Sequence, residues 1–179
     1  MVTRQKITVR VETCVGCHTC ELACAVAHSE SEDLMAAVAA GERLGYRIYV
    51  ESFKNRPIPV PCNHCEEAAC IMACPTGAVN RKTEGGPVFL DADKCIGCGM
   101  CVQACPFGVI AISEVRKTAY KCDVCIRRIA RGEQPACVSS CPTRSLFFGE
   151  INDGNRNKRQ RMAEMMAQGA AGAEKELRG

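Results

Sequence analysis

The chain has 179 residues, enough for one modest domain or two very small ones. It holds no Trp, three Tyr and five Phe but sixteen Cys, about 9% of residues, so cysteine chemistry rather than aromatic packing must organise it. A formal net charge of +3 is too small to argue for a nucleic-acid partner, and no apolar run approaches the ~18 residues of a membrane helix.

The opening MVTRQKITVRVE has no apolar signal core and no twin-arginine pair, and it alternates like a strand over ITVRV, residues 7–11. The chain therefore reads as soluble and cytoplasmic, where disulfides are rare and clustered cysteines bind metal or do redox chemistry. Cys14, Cys17, Cys20 and Cys24 come next, spaced x2, x2, x3, and the chain runs on through AVAHSE as helix. Residues 31–52 form a connector, with a short helix in SESEDLMAAVAAGERLG and a strand in RIYVES, residues 47–52. PIPVP, residues 57–61, is a stiff extended lead-in to Cys62, Cys65, Cys70 and Cys74, spaced x2, x4, x3. Cys95, Cys98, Cys101 and Cys105 repeat x2, x2, x3, and Cys122, Cys125, Cys137 and Cys141 follow at x2, x11, x3. From about residue 153 the cysteines stop, and the tail reads as one amphipathic helix.

All sixteen cysteines thus fall into four groups of four, the internal repeat of the chain. Every group ends on an x3 step, and in groups two to four the next residue is Pro75, Pro106 or Pro142. Each repeat predicts a loop around a centre, one short helix, a proline stop and then a strand. VFLD (88–91) and VIAI (109–112) are expected to form the sheet of a middle unit. ITVRV and SLFFGEI (145–151) do the same for an outer unit, into which the middle one is inserted.

A [4Fe–4S] cube presents four iron corners, each needing one thiolate. An x2, x2 triplet lets one loop reach three corners. The fourth cysteine lies one helical turn onward, about 6 Å away, and points to the other cube of a pair, as in the bacterial C-x2-C-x2-C-x3-C-P run. Zinc is the alternative. Its four-cysteine sites use two C-x2-C knuckles with a longer loop between them, a pattern only group four approaches. Three thiolates in seven residues crowd a tetrahedral ion. Radical S-adenosylmethionine chemistry needs C-x3-C-x2-C, and no cysteine takes that x2 step after Cys24, Cys74, Cys105 or Cys141. Four oxidised cubes with their thiolates would bring the net charge to about −5.

CVGCHTCELACAVAHS, CNHCEEAACIMACPTGAV, CIGCGMCVQACPFGVI and KCDVCIRRIARGEQPACVSSCPT together resemble the four-cluster iron–sulfur subunits of anaerobic oxidoreductases. That group includes the subunits of formate dehydrogenase, formate hydrogenlyase and dimethyl sulfoxide reductase type. It also includes the ferredoxin-like partner of nickel carbon monoxide dehydrogenase and the small subunit of tungsten aldehyde oxidoreductase complexes. The resemblance covers residues 1 to about 150. It implies an α+β fold of two bacterial-ferredoxin-like dicluster units: an outer one from residues 1–30 and 113–152, an inner one from 53–112. It also implies four [4Fe–4S] clusters with crossed ligands. Cys14, Cys17, Cys20 and Cys141 would hold the first, and Cys62, Cys65, Cys70 and Cys105 the second. Cys95, Cys98, Cys101 and Cys74 would hold the third, and Cys122, Cys125, Cys137 and Cys24 the fourth. The insertion topology read from the strands points to the same pairing of groups.

Gly16, Gly97 and Gly99 sit inside the ligand loops, where they serve tight turns and bring backbone N–H groups close to sulfur. His18 and His64 lie in the same loops and could tune a cluster by charge. No P-loop or dinucleotide fingerprint appears, and His28 has no evident nucleophile partner, so the chain conducts rather than catalyses. The tail, residues 153–179, begins basic at Arg156, Lys158, Arg159 and Arg161. It then carries Met162, Met165, Met166, Ala170, Ala173 and Leu177 near helical spacing. This stripe packs on the chain's own body, or docks on the catalytic partner or another copy; repeated head-to-tail docking would give a filament.

The expected function is electron transfer. The chain would relay single electrons between a catalytic subunit (a tungsten or molybdenum aldehyde or formate enzyme, a nickel carbon monoxide dehydrogenase or a hydrogenase) and another acceptor. The competing reading is a structural assembly protein whose metal centres mainly staple a small core.

Overall fold

The computed structural model describes residues 5–150, 156, 159–160 and 162–167. Short helices and short strands alternate in an α+β arrangement, with the strands in four separate two-stranded antiparallel sheets. Strand β1 (Gln5–Val9) pairs with β8 (Leu146–Glu150), placing Gln5 opposite Glu150 and Val9 opposite Leu146. Ile7 and Leu146 turn inward and are buried, the period-2 pattern of a half-buried ribbon. This pairing brings the first and the last cysteine groups into one neighbourhood.

After a 3-10 turn (Val11–Thr13), helix α1 (Thr19–Ala27) starts at His18 and ends at His28. No proline follows Cys24, so the helix continues past it. Helix α2 (Leu34–Ala39) is capped by Asp33, whose carboxylate accepts the Ala36 N–H at 2.8 Å. Strands β2 (Ile48–Phe53) and β3 (Arg56–Pro61) then form a hairpin around Lys54 and Asn55, both at positive φ, as a type I′ turn requires. PIPVP is extended as expected and is, in addition, a paired strand. Its prolines recur at every second residue, so the missing N–H groups all lie along one edge and the other edge stays free to pair. The hairpin straddles the expected boundary at residue 52 and packs on β1 and α1.

The sheet expected between residues 88–91 and 109–112 does not form. Strand β5 (Val88–Leu90) pairs with β4 (Val79–Arg81), and β6 (Ala111–Ile112) pairs with β7 (Ala119–Tyr120). Each strand takes the partner a short turn away, where closure costs the least chain entropy. Helices α3 (Ala69–Met72) and α4 (Met100–Ala104) pack on each other. Helix α5 (Ile126–Ala130) occupies the x11 spacer of group four, and α6 (Ala136–Ser139) packs on α1.

Two apolar cores result. One gathers Ile7, Ile48, Val109, Val124 and Leu146 with Cys20, Cys24, Cys62, Cys122 and Cys137. The other gathers Ala68, Val79, Val88, Ile110 and Ala119 with Cys101. Of the tail, residues 156, 159–160 and 162–167 are helical and exposed, Met162, Met165 and Met166 included. Lys158, Arg161, Ala170, Ala173 and Leu177 lie outside the described residues.

Candidate metal centres

The first C-x2-C step of each of the four groups shares one backbone device. The residue before the second cysteine (Gly16, His64, Gly97, Val124) has positive φ in every case. Only at Gly97 does close packing also demand glycine: an added Cβ would stand 2.1 Å from the Lys117 carbonyl oxygen. Val124 accepts the same left-handed conformation with a β-branched side chain, which buries itself in the first core.

None of the sixteen cysteines forms a disulfide. One cavity of about 310 Å³, partly continuous with solvent, is lined by Cys14, Cys17, Cys20 and Cys141. A second, of about 340 Å³, is lined by Cys62, Cys65, Cys70 and Cys105. Each holds three thiols of one group and the last thiol of another. Among the remaining eight, Cys101 has Cys95, Cys74 and Cys98 for neighbours, and Cys137 has Cys122, Cys24 and Cys125. Burial, then Cys95, with Cys74 and Cys98 further contributing, pushes the Cys101 thiol up. Burial and the nearby Cys122, Cys24, Cys125 and Cys20 push Cys137 up strongly. Burial also raises Cys20 to about 11 and Cys24 to about 12. Such thiols ionise readily only where a cation compensates them, which is the condition a metal centre supplies.

Backbone N–H groups already point at several of these sulfurs. Arg47 donates to Cys24 (3.3 Å), Val79 to Cys74 (3.4 Å), Ala119 to Cys95 (3.3 Å), Val124 to Cys122 (3.4 Å) and Ser145 to Cys141 (3.2 Å). Cys74 and Cys141 share a setting. The N–H groups of Val79 and Ser145, with the hydroxyls of Thr76 and Thr143, outweigh burial and pull both thiols below their ordinary value. An all-sulfur donor set drawn from two cysteine groups, with N–H groups aimed at sulfur, fits an iron–sulfur cluster.

Sequence reasoning missed the groups around these thiols. The Asp123 carboxylate holds Arg47 (2.9 Å), His28 (3.0 Å) and the Cys125 N–H (2.9 Å). Burial alone would raise Asp123, but His28 and Arg47 hold it well below the carboxylate range. The ligand atoms of His28, Asp123 and Cys125 lie within 4.8 Å of one another. With Asp123 so engaged, the trio braces the thiols and is not a further ion site. His18 sits at the surface and pairs with Glu21 at 2.7 Å. His64 is buried and accepts the Val88 N–H at 3.0 Å; burial, then Lys121, pushes it down to about 3. Burial thus disfavours a charged imidazole there, beside the buried Lys121 side chain.

Residues 54–151 match the 4Fe–4S dicluster domain, and residues 11–27 match a 4Fe–4S binding domain. This protein belongs to the 4Fe–4S dicluster family. Its cofactors are [4Fe–4S] clusters, and at four thiolates each the sixteen cysteines suffice for four. Among the relatives of this ferredoxin-like protein is an "Iron-sulfur protein" of Rhodospirillum rubrum. It is 43% identical over 151 residues, covering 78% of each sequence. The B subunit of the anaerobic dimethyl sulfoxide reductase of Escherichia coli is 36% identical over 162 residues, 86% of this sequence and 77% of the relative. The "Thiosulfate reductase electron transfer subunit PhsB" of Salmonella typhi is 40% identical over 144 residues, 78% of this sequence and 72% of the relative. Among the described residues no helix is long and apolar enough to cross a membrane.

Proposed function

We propose that this protein is the electron-transfer subunit of an anaerobic oxidoreductase complex, relaying single electrons to or from a catalytic subunit. The observation that carries the reading is the pair of cavities, each lined by three cysteines of one group and the fourth of another. When bound, [4Fe–4S] clusters supply one-electron carriers at fixed positions. The proposed ligand sets are those the family resemblance implies: Cys14, Cys17, Cys20 and Cys141; Cys62, Cys65, Cys70 and Cys105; Cys95, Cys98, Cys101 and Cys74; Cys122, Cys125, Cys137 and Cys24. Residues 53–112 would then be an inner unit inserted into an outer one, a reading supported by the β1–β8 pairing and by the packing of α1 on α6 and α3 on α4.

Contacts between sets support a linear order. Cys122 interacts with Cys62, and Cys137 with Cys20, so the set containing Cys122 lies between those containing Cys62 and Cys14. The second core joins Cys101 to Cys65, Cys70 and Cys105 at the other side. Cys17 and Cys98 are the two exposed cysteines, one in each terminal set, and exposed Val15 and Ile96 flank them. Electrons would enter at one of these ends and leave at the other.

The catalytic partner is a metal enzyme of the tungsten, molybdenum or nickel type. The names of relatives that are subunits of dimethyl sulfoxide and thiosulfate reductases support a reductase among these. The tail helix, with its exposed methionines, would dock on that partner or on a second copy.

Iron and sulfide analysis of anaerobically purified protein, with dithionite reduction followed by electron paramagnetic resonance, tests the reading. About 16 iron and four reducible, spin-coupled clusters are expected; redox-silent metal would overturn it. Cys24→Ser should perturb the cluster of Cys122, Cys125 and Cys137 and spare that of Cys14, Cys17 and Cys20; Cys141→Ser should do the reverse. Deleting residues 153–179 should change the mass of the assembly, and unchanged stoichiometry would dismiss the docking role.

A further inference from the structure

Four consecutive residues, 119–122, pass three of the proposed cluster sites. The Ala119 N–H donates to the Cys95 sulfur at 3.3 Å. Lys121 lines the cavity of Cys62, Cys65, Cys70 and Cys105. Its sequence neighbour Cys122 belongs to the next set. A cationic side chain is thus placed at the junction of the two central sites.

Lys121 is unusual for a lysine in being only 3% exposed. Its ammonium donates to two carbonyl oxygens, that of Val88 at 2.5 Å and that of Cys122 at 2.7 Å. Among the described residues no carboxylate forms a salt bridge with it. Arg47, the cation near the same set, is by contrast taken up by Asp123. Two carbonyls fix where the ammonium sits but do not neutralise it. A buried charge without an anion is strongly disfavoured, so a lysine there needs negative charge close by. The thiols of Cys70 and Cys122 both feel it: burial raises each, and Lys121 offsets part of that rise. Val88 is clasped from both sides, its N–H by His64 and its carbonyl by Lys121, which locks the lysine against strand β5.

We propose that Lys121 is a tuning residue that raises the reduction potentials of the two central clusters together, easing electron passage across the junction between the two dicluster units. The inference rests on the ligand sets given above. Each electron that arrives at a site adds one negative charge there. With all four sites anionic, the central ones have anionic neighbours on both sides and would be the hardest to reduce. A positive charge at low local dielectric stabilises the reduced form more than the oxidised one, and its place between two sites lets it act on both.

The test is a redox titration of anaerobic, cluster-loaded protein, monitored by electron paramagnetic resonance, for the wild type, Lys121→Met, Lys121→Gln and Lys121→Arg. Four reducible clusters in the wild type establish the ligand reading independently, so a failure at Lys121 leaves that reading standing. In whichever neutral variant keeps its full iron, two of the four reduction features should shift to lower potential while two stay in place. Lys121→Arg should leave all four near the wild-type positions. If both neutral variants lose clusters and the arginine variant keeps them, the charge requirement is again supported. Full iron with four unmoved features, a uniform shift of all four, or loss of clusters from all three variants would overturn the proposal.

Discussion

Gly97→Ala separates the two reasons a ligand loop can need glycine. At Gly97 φ is +68, and an added Cβ meets the Lys117 carbonyl oxygen at 2.1 Å. At Gly108 φ is +63 and nothing lies within 4 Å, so alanine there meets only the left-handed penalty of about 1–2 kcal/mol. At Gly97 the obstacle is backbone, which no side-chain rotation can clear. The gap must open by roughly 0.9 Å to reach the 3.0 Å below which real Cβ contacts essentially never fall. That moves the 95–98 loop off the 113–118 turn and breaks the Ala119 N–H bond to Cys95. Angle distortions of the needed size cost ~3 kcal/mol beyond the φ term, a total of about 4 kcal/mol or ~1000-fold in site occupancy. Under the proposed ligand sets, Gly97→Ala should therefore lose one cluster of four, read as a fall of about a quarter in iron and sulfide. Gly108→Ala should keep them all. Equal iron content and equal resistance to chelation in the two variants would refute the steric argument.

Three further outcomes follow from the same geometry. Asp123→Ala strips Arg47, 20% exposed, of its carboxylate and leaves His28 and the Cys125 N–H without their acceptor. It should cost about 2–3 kcal/mol, less than a fully buried pair because water still reaches the guanidinium, measured as an earlier denaturant midpoint for anaerobic bleaching. Asp123→Asn should recover part of the loss. Removing iron with a chelator should abolish the fold rather than leave a folded apoprotein, because sulfurs such as Cys20, Cys24 and Cys137 sit inside the first core; helical circular dichroism should fall in step with iron. Val15→Asp or Ile96→Asp, both at exposed positions, should slow electron exchange with protein partners without changing iron content.

What could be read from the sequence is what spacing encodes. The four cysteine groups, the short helix at each x3 step and the strand character of residues 7–11 and 145–151 rest on local periodicity, and the cofactor follows from the thiol pattern. Pairing between strands was less legible. Val88 and Ile112 each have the composition of a strand, but composition does not choose between a partner a few residues away and one twenty away. The prolines of β3 hid its pairing for a related reason: each forbids one hydrogen bond, and only their two-residue spacing shows that the opposite edge remains whole. Charge was the least visible. Lys121 reads as a surface residue because lysine is rarely buried. Nothing in YKCDVC signals that its ammonium turns inward to two carbonyls, or that Asp123 gathers an arginine and a histidine from elsewhere in the sequence.

The proposed ligand sets also bear on how the protein assembles. The sets of Cys62 and Cys95 close loops of about 20–35 residues, whereas those of Cys14 and Cys122 close loops of about 100–120; the difference in closure entropy is about 1 kcal/mol per site. The inner pair therefore has the advantage in forming first, on the second core, where β4–β5 and β6–β7 are local hairpins. Its formation shortens the path the outer pair must close, because helices α3 and α4 are then already held together. The β1–β8 ribbon and the α1–α6 contact come last, joining elements more than a hundred residues apart. On this view stapling and conduction are not competing roles: the crossing of the fourth cysteine from one site to its neighbour closes the fold and brings the two electron carriers close by the same act.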